Sequence, residues 1–375
     1  MSDHPGGTPR EHAAGASREN AADASRENAV ASRENVTDAS TAGDTAADTD
    51  VDRLRAPPTA RSVPELLRFG VINLDKPAGP SSHQVSAWVR DLINETLAAI
   101  DPEGPPIAGV AHAGTLDPKV TGCLPTLTGT ATRAAQVFLA GRKEYVSALE
   151  LHGPAPGDLP EVIAEFEGPI YQKPPRKSAV SRRLRVRRIH RLDLLERDDR
   201  RALLRISCES GTYVRKLCHD IGLAAGVGAH MGHLRRTATD PFDDRDLHTL
   251  QELTDALVWA ADGDETFLRE IVRPAEAAFV HLPSVTIAPS AARAVATGAP
   301  VYAPGVIDVS EPAAGVSGAV GDGDADGDAG NHEGAEENPL VTCYTPDDVA
   351  VCLGRLVGHP DADSGVVVEL ERVLL

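Results

Sequence analysis

The chain has 375 residues, with 56 Asp plus Glu against 37 Lys plus Arg and a formal net charge of -19. That length exceeds one ordinary domain and leaves room for a sizeable core, while so acidic a balance excludes nucleic-acid binding by overall charge and moves the question to where the cations lie. The five cysteines are scattered without Cys-x-x-Cys or Cys/His zinc spacing, and no apolar run approaches the roughly 18 residues of a membrane span, so reduced thiols, no metal, no membrane segment, no secretory leader and a cytoplasmic setting are expected.

Only six cations are lysines, and an acid-rich, lysine-poor chain is expected of a protein kept soluble in high salt by self-repelling charge. Residues 1–60 repeat Ser-Arg-Glu-Asn from Ser17, Ser25 and Ser32 and carry almost no large apolar side chains. This predicts a disordered acidic tail, too poor in apolar surface to offset its ordering entropy.

Folded sequence begins near Leu66 with a strand-like run that stops at Pro77, Gly79 and Pro80. Ser81 with Gln84 forms a capping-box pattern, and Val85, Trp88, Val89, Leu92 and Ile93 give an apolar stripe at helical spacing. Trp88 is expected in the core. Asp75 and Lys76 fall at the resulting strand-to-helix connection.

The stretch His112 to Pro125 sets one carboxylate, Asp117, between small residues (Ala113, Gly114, Thr115) and Pro118. An Asp-Pro in such a setting is commonly a turn residue, so a functional reading needs support from elsewhere. An Ala/Thr-rich helix is expected through Leu139, followed by a strand from Lys143 with Tyr145, Ser147, Leu149 and Leu151 on its inner face.

From Gly168 to Arg191 there are nine cations and no acid: Lys173, Arg176, Lys177, Arg182, Arg183, Arg185, Arg187, Arg188 and Arg191. Leu184, Val186 and Ile189 alternate with them, which predicts a ribbon with a basic solvent face suited to phosphates. Residues 201–208 read as a strand, leading through a Gly turn to a helix with Val214, Leu217, Cys218 and Ile221 inward. Arg215 in its first turn opposes the helix dipole and so calls for a carboxylate partner from elsewhere. Thr249 with Glu252 starts another capped helix. From about His281 the pattern changes to short β segments, interrupted at 308–338 by an acidic Gly/Asp/Ala tract expected to be a disordered loop.

The ordered set Gly70-Val-Ile-Asn-Leu-Asp-Lys-Pro-Ala-Gly, His112-Ala-Gly-Thr-Leu-Asp-Pro with Gly122-Cys-Leu-Pro, Lys143-Glu-Tyr, Pro174-Pro-Arg-Lys-Ser-Ala-Val, Ser210-Gly-Thr-Tyr-Val-Arg and Leu234-Arg-Arg-Thr resembles the TruB family of pseudouridine synthases. Within that family it is most similar to the archaeal dyskerin-type catalytic subunit of box H/ACA guide-RNA particles, over roughly residues 66–375. The resemblance implies an α+β protein: a mixed, mainly antiparallel-sheet catalytic domain at 61–280 and a small β-barrel PUA domain for RNA binding at 281–375.

The resemblance further implies that Asp117 is the catalytic residue, as nucleophile at C1′ or base at C2′ of the ribose. Arg215 would pair with it in a dry pocket, Tyr145 would stack on the flipped base and help remove the C5 proton, and His112 and Leu234 would line or prop the pocket. Lys76, Arg235 and Arg236 join the arginine island as expected RNA contacts. No cofactor is implied. The implied partners are an H/ACA guide RNA, its rRNA target and small accessory proteins; action on the tRNA T loop, with or without a guide, stays open. A non-catalytic RNA scaffold is the remaining alternative, and it predicts loss of a pocket residue.

Overall fold

The computed structural model describes residues 54–174, 183–312 and 338–375. The short helix α1 (Val63–Arg68) opens on a Ser62/Glu65 capping box and leads to β1 (Gly70–Lys76), almost wholly buried along both faces. Pro77 and Gly79, the latter at φ 117°, end the strand, and α2 (Ser82–Ile100) starts on the Ser81/Gln84 capping box. Val85, Val89, Ile93 and Leu97 recur every four residues and are buried. Trp88 is 47% exposed, against expectation, because one residue before Val89 lies about 100° around the helix, off the buried line.

β2 (Val110–His112) and β3 (Thr121–Thr128) pair antiparallel and enclose the loop that carries Asp117. The expected Ala/Thr helix is instead a 3-10 turn at Gly129–Ala134 and a four-residue helix, α3 (Val137–Ala140); Gly and Thr are poor helix formers. There follow β4 (Lys143–Leu151), α4 (Leu159–Ala164), β5 (Gly168–Gln172), β6 (Arg185–Arg197), β7 (Arg201–Cys208), α5 (Val214–Ala224) and β8 (Ala229–Thr239). β9 (Phe242–Asp243), α6 (Leu250–Ala261) on its Thr249/Glu252 capping box, α7 (Thr266–Ile271) and β10 (Val272–Pro274) complete this part.

These strands form one sheet in the order β10-β1-β3-β8-β4-β7-β6-β5, with β2 beside β3 and β9 beside β8. All its pairings are antiparallel except β3 with β8, which touch in parallel at Thr121–Arg235 and Gly122–Arg236. That contact brings the Asp117 loop beside the Leu234-Arg-Arg motif. α1, α2, α6 and α7 pack on β1 and β3 through Leu67, Ile72, Leu74, Val89, Leu124 and Leu253, while α4 and α5 cover β4, β6 and β7. Tyr145 and Leu234 pack against both clusters.

A second sheet joins β11 (Ser284–Ile287), β12 (Val301–Tyr302), β13 (Val306–Ser310), β14 (Leu340–Tyr344), β15 (Ala350–Leu356) and β16 (Val366–Val373), in the order β12-β16-β15-β14-β11-β13, with α8 (Pro289–Ala296) against it. A core cluster runs from Phe69, Val71, Leu127 and Phe138 to Ala350, Leu353 and Leu374, so the two sheets share buried surface. The chain is thus a mixed α+β protein, as its sequence predicts.

Two boundaries move. The expected tail was to end at residue 60, but Leu54 packs into the second core and Arg55 donates to the carbonyl of Leu374 while lying 3.6 Å from the centre of the Phe69 ring. The acidic tract begins as strand, since Asp308 to Ser310 belong to β13 and pair with β11; residues 1–53 and 313–337 lie outside the described residues. No helix among the described residues is long and apolar enough to cross a membrane.

Candidate active site

Asp117 stands on a loop tied down from four sides. Leu116 donates its N–H to Ser82 Oγ at 2.8 Å, and that hydroxyl reaches back to the Leu116 carbonyl at 3.1 Å, fixing the loop to the first residue of α2. Gly79 N–H donates to the Pro118 carbonyl at 2.8 Å, and Lys76 Nζ donates to the carbonyls of Pro118 and Val120 at 3.1 and 2.9 Å. From the opposite side Arg236 Nη2 donates to the Gly114 carbonyl at 3.2 Å and its Nε to the Cys123 carbonyl at 2.7 Å. Leu116 and Val120 anchor the loop in the core beneath.

Arg215, the second residue of α5, meets this carboxylate: its Nη2 donates to Asp117 Oδ2 across 98 residues of sequence. The partner called for by an arginine in a first helical turn is therefore present. The surroundings are not the expected dry pocket, because the two side chains are 55% and 58% exposed. Among the described residues the loop's rim lies open: Thr115, Asp117, Pro118 and Lys119 are exposed, and Leu116 is buried.

Tyr145, half-buried on β4, is the cross-strand partner of Arg236 on β8. Burial pushes the Tyr145 hydroxyl above the ordinary tyrosine range, and the charge of Arg236 opposes that shift. Leu234 sits half-buried opposite Ser147 on the same strand pair. His112, at the end of β2, meets His83 edge to face with ring centres 5.1 Å apart. Burial, then the neighbouring His83 and Arg236, lower its pKa to about 4, so it is neutral at pH 7.

Comparison with known proteins decides the family. The TruB family pseudouridylate synthase N-terminal domain matches residues 106–156, the tRNA pseudouridylate synthase B C-terminal domain 215–280 and the DKCLD domain 49–86. A probable tRNA pseudouridine synthase B of Haloarcula marismortui is 61% identical over 322 residues, covering 86% of this chain and 94% of that one. The chain belongs to the TruB family of pseudouridine synthases. Another member, from Halobacterium salinarum, is 58% identical over 86% of this chain and 99% of its own. Among solved structures, a Cbf5-Nop10-Gar1 complex matches with 40% identity and a TM-score of 0.72 over 85% of this chain and 89% of that one. An H/ACA RNP bound to a substrate RNA containing 2′-deoxyuridine matches with 38% identity and a TM-score of 0.70 over 85% and 89%.

The basic residues of this TruB-family enzyme divide by burial. Lys76 is fully buried, and Arg236 is 2% exposed. Neither can meet RNA phosphates as expected: both spend their donors on the backbone around Asp117. A sign count in the sequence cannot separate an inward cation from an outward one. Arg235 is half-buried and matched by Asp75 through two 3.0 Å hydrogen bonds.

On the arginine island Lys173, Arg183 and Arg188 are exposed and Arg185 is half-buried. Arg187 is half-buried and paired to Glu209 at 2.8 Å, and Arg191 is paired to Asp193. Arg176, Lys177 and Arg182 lie outside the described residues. The expected apolar inner face is there in part: Ile189 is buried, but Leu184 and Val186 are 65% and 51% exposed, as is Tyr171 at 70%. β6 pairs with β7 only from Ile189 onward, so among the described strands its first four residues pair with β5 alone. Ser82 and Gly79, which fix the loop, escaped sequence reasoning; the Lys-Pro-x-Gly-x-Ser-Ser run before a helix was their signal.

Proposed function

We propose that Asp117 is the catalytic residue of this pseudouridine synthase, attacking or deprotonating the ribose of a uridine flipped out of its stack. The observation that carries the assignment is the Arg215–Asp117 ion pair, made from a different element to a loop held on four sides. Both chemical routes need a carboxylate held in one direction, which the guanidinium supplies. A pair this exposed is worth roughly 0–1 kcal/mol in water, so an incoming ribose opens it at little cost. Bound RNA then expels water from the rim and strengthens the same charges.

In this reading Tyr145 stacks on the base, Leu234 props it, and neutral His112 lines the pocket. Exposed Lys173, Arg183 and Arg188 serve the phosphates, which need outward and available cations.

The substrate reading is guided action on rRNA, with a box H/ACA guide RNA and small accessory proteins, and action on the tRNA T loop as a second activity. Its support is that a structure matched at 38% identity is an H/ACA RNP bound to substrate RNA and one at 40% a Cbf5-Nop10-Gar1 complex, while the curated relatives are called probable tRNA pseudouridine synthase B. Residues 281–375 would form the PUA-type RNA-binding domain, 61–280 the catalytic domain, and the setting would be the cytoplasm of a salt-loving archaeon.

Single-turnover assays on a tRNA transcript alone, and on a guide-plus-target duplex with accessory proteins, test the substrate reading. Activity on both is expected; activity on tRNA alone would overturn guided action. Asp117→Asn is expected to abolish turnover with RNA affinity nearly unchanged, and retained turnover removes the catalytic assignment. Arg215→Ala is expected to lower the rate roughly ten- to hundredfold, the loss of a charge-assisted hydrogen bond that reaches about 1.5–3 kcal/mol only once bound RNA has excluded water.

A further inference from the structure

His152 and His230 are 78 residues apart in sequence, yet their exposed rings meet: Nε2 of the first lies 3.0 Å from Nδ1 of the second, with ring centres 5.2 Å apart. Register puts them there. Glu150 on β4 pairs with His230 on β8 and Leu151 with Ala229, so Leu149, Leu151 and Ala229 turn into the core while Glu150, His152 and His230 turn outward. Two glycines make the room. A Cβ on Gly228 would come within 3.0 Å of His152 Nδ1, and one on Gly232 within 3.1 Å of Glu150 Oε1. The backbone of His152 is fixed as well, its N–H donating to the Gly228 carbonyl at 2.9 Å and its carbonyl accepting from Arg200 Nη2 at 2.7 Å.

Two imidazole nitrogens this close need something between them, because facing lone pairs repel and so do facing N–H groups. One proton, supplied by either ring, meets that need. A single metal ion meets it from both lone pairs at once. Zinc–imidazole bonds of about 2.0–2.1 Å on a tetrahedral ion hold their nitrogens about 3.3–3.4 Å apart, so the rings have to open by only a few tenths of an ångström.

We propose that His152 and His230 form a binding site for a divalent transition-metal ion of the Zn²⁺ kind, which joins the end of β4 to the start of β8. Each ring gives one nitrogen and water completes the shell, since among the described residues no three His, Cys, Asp or Glu side chains are grouped so as to hold an ion. The ring that donated the hydrogen bond moves its proton through water to its other nitrogen, so the pair stays neutral and the ion keeps its charge.

Arg201 holds Glu150 Oε2 at 2.9 Å, and Arg200 is bound to the His152 carbonyl. With these cations alongside, charge alone does not hold an ion and coordinate bonds decide. Imidazole suits Zn²⁺, Cu²⁺ and Ni²⁺, whereas Mg²⁺ and Ca²⁺ take oxygen ligands. The two ligands come from distant segments, so no Cys/His spacing in the sequence shows the site. From Tyr145 to His152 is roughly 23 Å of strand, which sets the site apart from the Asp117 loop.

The test is calorimetric titration of Zn²⁺ into chelator-stripped, full-length protein without an affinity tag, with the thermal midpoint followed at each metal concentration. The proteins are the parent, His152→Gln, His230→Gln, the double variant, and His219→Gln on α5 as a control; Mg²⁺ serves as the hard-ion control. The parent is expected to bind one Zn²⁺ and to rise in midpoint with it, because the ion binds the folded pair and not the separated rings. Mg²⁺ is expected to do neither. Each substitution at 152 or 230 is expected to weaken Zn²⁺ binding at least about tenfold, and the double variant to lose little beyond either single one, as two ligands of one ion require. His219→Gln is expected to bind as the parent does.

Equal Zn²⁺ affinity in the parent and both single variants overturns the proposal, and so does a parent that binds no Zn²⁺ or gains no midpoint from it. Both rings are exposed, so each variant is expected to fold, and its metal-free unfolding curve checks this. Where one single variant does not fold, the other decides against His219→Gln.

Discussion

His112 lies one hydrogen bond from the Asp117 loop, since Gly114 N–H donates to its carbonyl at 2.9 Å, and its titration gives a pH prediction. Its pKa falls from 6.5 in the open chain to about 4 in the fold. Above about pH 6.5 both states are neutral and the fold loses nothing. Between those values the unfolded chain takes up a proton that the folded chain refuses, so stability falls as the pH drops from about 6.5 to about 4. His281, lowered by its own burial, acts in the same sense. The measurement is the difference in urea midpoint between the parent and His112→Gln across that window: a difference that changes with pH is expected, and a flat one removes the assignment.

Elements hold that loop as firmly as side chains do, and Gly122 is where two of them meet. Its φ of 98° is one that side chains rarely adopt, and a Cβ would come within 2.2 Å of the Arg236 carbonyl oxygen on β8. Gly122→Ala is expected to destabilise the protein by about 1–3 kcal/mol, through backbone strain and a separated β3–β8 contact, and to lower turnover with it. Gly157→Ala, with no atom within 4 Å of its Cβ, is the control and is expected to be close to neutral. A Gly122→Ala protein as stable as the control contradicts this account.

Local signals explain what could be read at this scale. The Ser81/Gln84 and Thr249/Glu252 capping boxes start helices as written, and the inward faces of β4 and α5 follow from their periodicity. Arg215 stands out as an oddity of local chemistry, whereas Asp117 taken alone reads as an ordinary turn residue. Their contact is a tertiary fact, as are the burial of Lys76 and Arg236 and the exposure of Leu184 and Val186, because each depends on which strand lies alongside. β12 and β13 are short and weakly patterned, so nothing in their composition announces them.

Across the whole molecule the dominant quantity is charge. The chain has 56 acids against 37 bases, and acids still outnumber bases when only the described residues are taken; folding crowds like charges that the unfolded chain spreads apart, and this repulsion weakens as salt shortens the screening length from about 10 Å at 0.1 M to about 3 Å at 1 M. The opposing effect is loss of attractive pairs, and here it is small. Exposed pairs such as Arg90–Asp91 and Arg269–Glu265 contribute little at any salt. Arg61–Glu276, whose arginine is fully buried and whose carboxylate also accepts from the Ala350 N–H, is shielded from added ions. Relief of repulsion therefore exceeds loss of attraction, and the thermal midpoint is expected to rise as KCl is increased towards molar concentrations. Glu276→Gln, which leaves Arg61 buried without its counter-charge, is expected to lower the midpoint by a similar amount at every salt concentration. A midpoint that falls with KCl in the parent protein would show that attraction between surface charges outweighs their crowding, and would sink the high-salt reading of the composition.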